Sequence, residues 1–140
     1  MAEENQISLS SLLVPSKAVD VDYPGLEGLK ISVAFLSREE LVKLRKKATK
    51  IVYKNRVQTD ELNEELFLKL YVEATIKGWS GFKYKYLQDL LLVDLSTVKD
   101  AEASLPFNID NALALMKGST EFDSFISETV NDLSVFSKAS

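Results

Sequence analysis

The sequence predicts a mainly helical α+β fold, an N-terminal β-hairpin followed by a bundle of about five helices. Three observations lead there. Two runs ahead of Leu36 alternate apolar and polar side chains around a Pro-Gly turn, the period of a half-buried strand. Ser, Thr or Asn residues stand just before apolar repeats of three and four, where a helix N-cap belongs. Near the C-terminus Phe122, Phe125, Ile126, Val130, Leu133 and Phe136 make one continuous apolar stripe at helical spacing.

Residues 1–17 read as a flexible polar arm, in which Ile7, Leu9, Leu12 and Leu13 are apolar enough to dock on something. Residues 18–140 then form a single globular domain, since this length suits one core. Val19, Val21 and Tyr23 share one face of the first strand, and Leu29, Ile31, Val33 and Phe35 share one face of the second. Pro24, Gly25, Leu26, Glu27 and Gly28 supply the turn between them. A two-stranded hairpin is marginal alone, so it must pack on helices or join another sheet.

Ser37 with Glu40 forms a capping box, and Leu36 with Leu41 the hydrophobic staple beside it. The first helix then carries Leu41, Leu44, Ala48, Ile51 and Val52 on one face, and residues 55–58 read as its break. Thr59 is expected to cap the second helix, Asp60 and Glu61 to favour its positive end, and Gly78 to stop it. Tyr84, Leu87, Leu90 and Leu91 read as a third helix, although the Tyr84/Tyr86 alternation leaves a strand open at its start. Residues 94–105 read as an acidic loop. Asn108 caps a short helix ending at Lys117 and Gly118, and Ser119 or Thr120 caps the last.

Composition narrows the function. The chain has neither cysteine nor histidine, which removes thiolate chemistry, disulfides and the commonest general base and metal ligand. A carboxylate-only magnesium or glycosidase site stays open in principle, but Asp60, Glu61, Glu64 and Glu65 read better as a solvated helix face. No catalytic residue, metal ligand or cofactor is therefore expected, and the chain does not read as an enzyme. No apolar run approaches the about 20 residues that cross a bilayer, and acids stand where a signal peptide carries bases. The net charge of −4 is unevenly spread. Residues 38–56 hold eight basic side chains against Glu39 and Glu40, whereas the chain from Asp94 onward holds eight acids against three lysines. Two solvated faces of opposite sign would explain this, as would steering of a partner or head-to-tail self-association.

Three features suit partner binding. Trp79 between Gly78 and Gly81 either fills the core or anchors a partner. Lys83, Tyr84, Lys85 and Tyr86 interleave bases with aromatics, a pattern that suits single-stranded nucleic acid, but the acidic net charge and the lack of a nucleic-acid motif argue against it. The stripe with Phe122, Phe125 and Phe136 is either core or a surface for a partner helix. Trp79, Phe82, Tyr84 and Tyr86 are the first candidates for partner contact, with Phe122, Phe125 and Phe136 second.

Three segments carry a resemblance. They are Gly28-Leu29-Lys30-Ile31-Ser32-Val33-Ala34-Phe35-Leu36-Ser37-Arg38-Glu39-Glu40-Leu41, then Ala74-Thr75-Ile76-Lys77-Gly78-Trp79-Ser80-Gly81-Phe82-Lys83, then Leu105-Pro106-Phe107-Asn108-Ile109-Asp110-Asn111-Ala112-Leu113-Ala114-Leu115-Met116 with Glu121-Phe122-Asp123 and the final apolar helix. In this order, from about residue 18 to residue 136, the chain resembles the tail assembly chaperones of long-tailed bacteriophages. The N-terminal arm has no counterpart there.

The resemblance implies a chaperone made in the infected host cytoplasm and absent from the finished virion. Its client would be the long, helical tape measure protein, kept soluble while tail tube subunits assemble around it. Many such proteins also exist as a longer frameshift product that recruits the tail tube protein, and this chain would match the shorter product. A structural adaptor of the mature particle, or a small nucleic-acid-binding regulator, is the alternative.

Overall fold

The computed structural model describes residues 7–12, 18–132 and 136. Leu133, expected in the last apolar stripe, lies outside them, as do residues 1–6 and 13–17 of the expected arm, Leu13 among them. A single helical turn at Leu9–Leu12 precedes two small antiparallel sheets and five helices among the described residues. With 45% helix and 24% strand the fold is α+β, with a larger share of sheet than the sequence suggests.

The expected hairpin forms. β1 (Ala18–Asp22) pairs antiparallel with β2 (Lys30–Ala34), Val21 facing Ile31 and Val19 facing Val33. The connection is tied by Tyr23 N–H donating to the Leu29 carbonyl at 3.0 Å, with Gly25 and Gly28 at positive φ. A third strand, β5 (Ile76–Ser80), lies on the other side of β2, giving the order β1-β2-β5 with Ile31 opposite Trp79. Because strand side chains alternate, Val19, Val21, Ile31, Val33, Ile76 and Trp79 line one face, and helices cover it.

Helix α1 (Arg38–Ala48) begins where expected. Ser37 Oγ accepts the Glu40 N–H at 3.2 Å and donates to the Glu40 carboxylate, while Leu36 is buried beside it. The helix ends earlier than its apolar spacing suggests, because residues 49–62 form a second hairpin. β3 (Thr49–Lys54) pairs with β4 (Val57–Leu62) around Asn55 and Arg56, both at positive φ (52° and 65°). Two left-handed residues in a two-residue loop define the turn whose twist matches a hairpin. The β-branched and aromatic run Thr49, Ile51, Val52 and Tyr53 also prefers strand. Thr59 is therefore a strand residue and not a helix cap.

The actual cap of α2 (Glu64–Thr75) is Asn63, whose Oδ1 accepts the Leu66 N–H at 3.1 Å. Its own N–H donates to the Ala48 carbonyl at 2.8 Å, so the end of α1 and the start of α2 are joined and the hairpin projects from that junction. Gly78 does not stop α2. The helix gives way at Ile76, because pairing with β2 takes up the backbone from there. The expected third helix shrinks to a 3-10 turn at Tyr84–Tyr86 and the short α3 (Leu87–Leu90). Tyr84 and Lys85 donate their N–H groups to the carbonyls of Ala103 and Ala101, both at 3.0 Å, which ties this segment to the acidic loop.

Asn108 and Ser119 cap α4 (Ile109–Gly118) and α5 (Thr120–Val130) as expected, accepting the N–H groups of Asn111 (2.7 Å) and Phe122 (3.1 Å). α2 packs between α1 and α4, and α5 lies against α4 and β2. Between them Val72, Ala112, Leu115, Phe122, Ile126 and Val130 close the core over the sheet.

Candidate functional site

The aromatic candidates divide by position. Phe82 and Phe122 are fully buried, which corrects the expectation that they face a partner: folded, they are core. Phe122 stacks on Tyr23 at 6.1 Å, and Phe125 approaches the same ring at 4.5 Å. Phe136 packs edge-on to Phe35 at 5.5 Å.

Trp79 is half-buried and held from three sides. Its Nε1–H donates to the Leu105 carbonyl at 2.9 Å, and its ring lies 5.0 Å from Phe82 and 4.9 Å from Phe107. These contacts tie β5 to the loop before α4, a structural duty that the glycines around the indole make possible. Gly81 sits at φ +69° against the Gly28 carbonyl, where no side chain fits.

Tyr84 and Tyr86 are half-buried, and the Tyr86 hydroxyl donates to the Glu27 carbonyl. The lysines interleaved with them face one carboxylate, Glu102, at 2.6 Å from Lys85 and 2.9 Å from Lys83. Hydrogen bonds from Lys85 and then Lys83 hold that carboxyl down at about 2, and Glu102 in turn raises the Lys83 ammonium. Glu102 thus offsets one of the two lysine charges of the basic-aromatic cluster from within the chain. A strand of nucleic acid would have to displace Glu102 to use it.

A groove that sequence spacing alone did not reveal lies between α1, α2 and α5, with a volume of about 460 Å³. Leu36, Leu41, Phe67, Leu68 and Met116 give it apolar walls. Arg38 and Arg45 stand on the α1 rim, whereas Asp123, Ser127 and Asn131 stand on the α5 rim. Arg45 lies over the Phe67 ring at 5.4 Å, fixing one wall by cation–π attraction. Tyr71 sits at its base, its phenol pushed up by burial and by the Asp123 charge and eased by a hydrogen bond with Ser127. The signal in the sequence was Leu41 on one helix and the Phe67, Tyr71 spacing on the next, but which faces meet depends on how the helices cross.

An apolar trough with opposite charges on its two rims suits the apolar face of an amphipathic helix. Among the described residues no acidic cluster is placed to hold a metal ion, and no helix is long and apolar enough to cross a membrane. The fold is α+β, with an apolar groove between α1, α2 and α5. No protein family, curated protein or solved structure gives a match to the chain.

Proposed function

We propose that this chain is a tail assembly chaperone of the long-tailed bacteriophage kind, a binding protein without enzymatic activity that acts in the host cytoplasm. It binds helical segments of the tape measure protein, keeps them soluble while tube subunits assemble, and leaves before the virion is complete. The observation that carries this reading is the groove between α1, α2 and α5, whose apolar walls and charged rims suit a client recognised by helical amphipathicity. The ordered resemblance of three segments supplies the identity of the client.

The energetics fit a client with many similar helices. Burial of apolar surface contributes ~25 cal/mol per Å² irrespective of sequence detail. Many modest contacts along one long chain then add through effective concentration. Leu41 and Phe67 are placed to make the first contacts, with the exposed parts of Tyr84, Phe125 and Phe136 as a secondary surface. A longer frameshift product would bring in the tail tube protein.

Co-expression with the tape measure protein encoded nearby tests the reading. The client should stay soluble and co-purify with this chain, and aggregate without it. A client equally soluble alone, or one that fails to co-purify, overturns the proposal.

A further inference from the structure

We propose that the β3–β4 hairpin of one copy adds to the free β1 edge of a second copy, extending the three-stranded sheet across the contact. This goes beyond client binding and needs no client.

The donor is a projecting ribbon with no strand beside it on either edge among the described residues. Its large apolar side chains lie in solvent: Ile51 is 56% exposed, Tyr53 74% and Val57 61%. A two-stranded ribbon of this kind is only marginally stable by itself and gains most from another strand. The acceptor is also unpaired on its outer side among the described residues. The strand order ends at β1, which offers its outer N–H and C=O groups.

Side-chain pattern and charge both suit this pairing. With β3 antiparallel to β1 and Ile51 opposite Val21, Tyr53 falls opposite Val19, and both pairs extend the buried face of the sheet. On the other face Lys50 falls opposite Asp22, and Asp20 lies diagonally between Lys50 and Lys54. Asp20, Asp22 and Lys50 have no ion-pair partner within the monomer among the described residues, and Lys54 reaches only the exposed Glu61 at 3.6 Å. Cross-strand apolar pairs on one face and opposite charges on the other are the two contributions that fix a strand partner.

Sedimentation velocity of the full chain over a wide concentration range tests the pairing. The unmodified chain should associate reversibly. The edge variant Asp20→Lys with Asp22→Lys, and the arm variant Lys50→Glu with Lys54→Glu, should each weaken association at least about tenfold. An equimolar mixture of the two variants should associate again, because each retains the surface that the other lacks. A monomeric unmodified chain, variants that associate unchanged, or a mixture that stays monomeric overturns the proposal. Amide exchange on the unmodified chain gives a readout independent of variant folding: exchange in β1 and β3 should slow as concentration rises. If those strands are protected only when a client peptide is added, the client and not a second copy occupies the edge, and the proposal fails. The assay uses this chain alone, so loss of client binding leaves its result unaffected.

Discussion

Gly81 and Gly28 meet backbone to backbone: at φ +69°, a Cβ on Gly81 would overlap the Gly28 carbonyl oxygen. The contact locks the β1–β2 connection against the end of β5, the strand that carries Trp79. Gly81→Ala combines a left-handed backbone with a clash against another backbone, which no side-chain rotation relieves. It should cost about 3 kcal/mol of stability. Chemical denaturation checks this; an unchanged midpoint would show that the two loops separate easily.

Tyr23 is only 4% exposed, and its hydroxyl has no hydrogen-bond partner among the described residues. Tyr23→Phe removes an unsatisfied buried group while keeping the stacking with Phe122, so it should stabilise the fold by about 1 kcal/mol. Burial, and after it the Glu121 charge, raises the phenol from 10.0 to about 12. The folded state therefore favours the neutral ring. That contribution is complete below pH 10 and is lost as pH rises towards 12. Thermal melts of both proteins across this range should show the parent losing stability more steeply than the Phe variant.

Glu102 gives the opposite dependence. Its pairing with Lys85 and Lys83 lowers its carboxyl from 4.5 to about 2. The stabilising contribution is present above pH 4.5 and disappears as pH falls towards 2. Glu102→Gln should speed amide exchange at Tyr84 and Lys85, whose N–H groups bond the loop that carries Glu102. It should also flatten the acid dependence of that exchange. Equal rates in both proteins at neutral pH would mean that the backbone bonds hold the loop unaided.

Arg56 lies at φ 65° in the two-residue turn of the β3–β4 hairpin. Glycine adopts this conformation without the penalty of a Cβ, so Arg56→Gly should stabilise the hairpin by about 1 kcal/mol. Slower exchange of the β3 and β4 amides reports it. Faster exchange would show that the arginine side chain holds the turn through contacts of its own.

Phe67 forms a wall of the groove between α1, α2 and α5 and lies beneath Arg45. Phe67→Glu places a carboxylate in the trough, where it offers Arg45 an ion pair but repels an apolar client face. Co-purification of the tape measure protein should fall at least about tenfold, on the scale of one lost apolar anchor. Retained circular dichroism would separate this from unfolding. Undiminished capture by a folded variant would place the client elsewhere.

Local chemistry determined much of this molecule. Alternation about Pro24 and Gly25 specified the first hairpin. Ser37, Asn108 and Ser119 specified three helix starts, because an N-cap depends on residues within one turn of itself. The absence of cysteine and histidine, and the split of charge along the chain, are likewise properties of the sequence alone. Tertiary structure decided the rest. Ile51 and Val52 fit a helical spacing as well as a strand, and the turn at Asn55 and Arg56, together with the pairing of β3 with β4, settles the competition. Gly78 sits inside a strand because β2 offers an edge that a helix cannot use. The division of the aromatics into buried Phe82 and Phe122, tethered Trp79 and groove-lining Phe67 follows from how helices cross the sheet, and side-chain identity carries no record of that crossing.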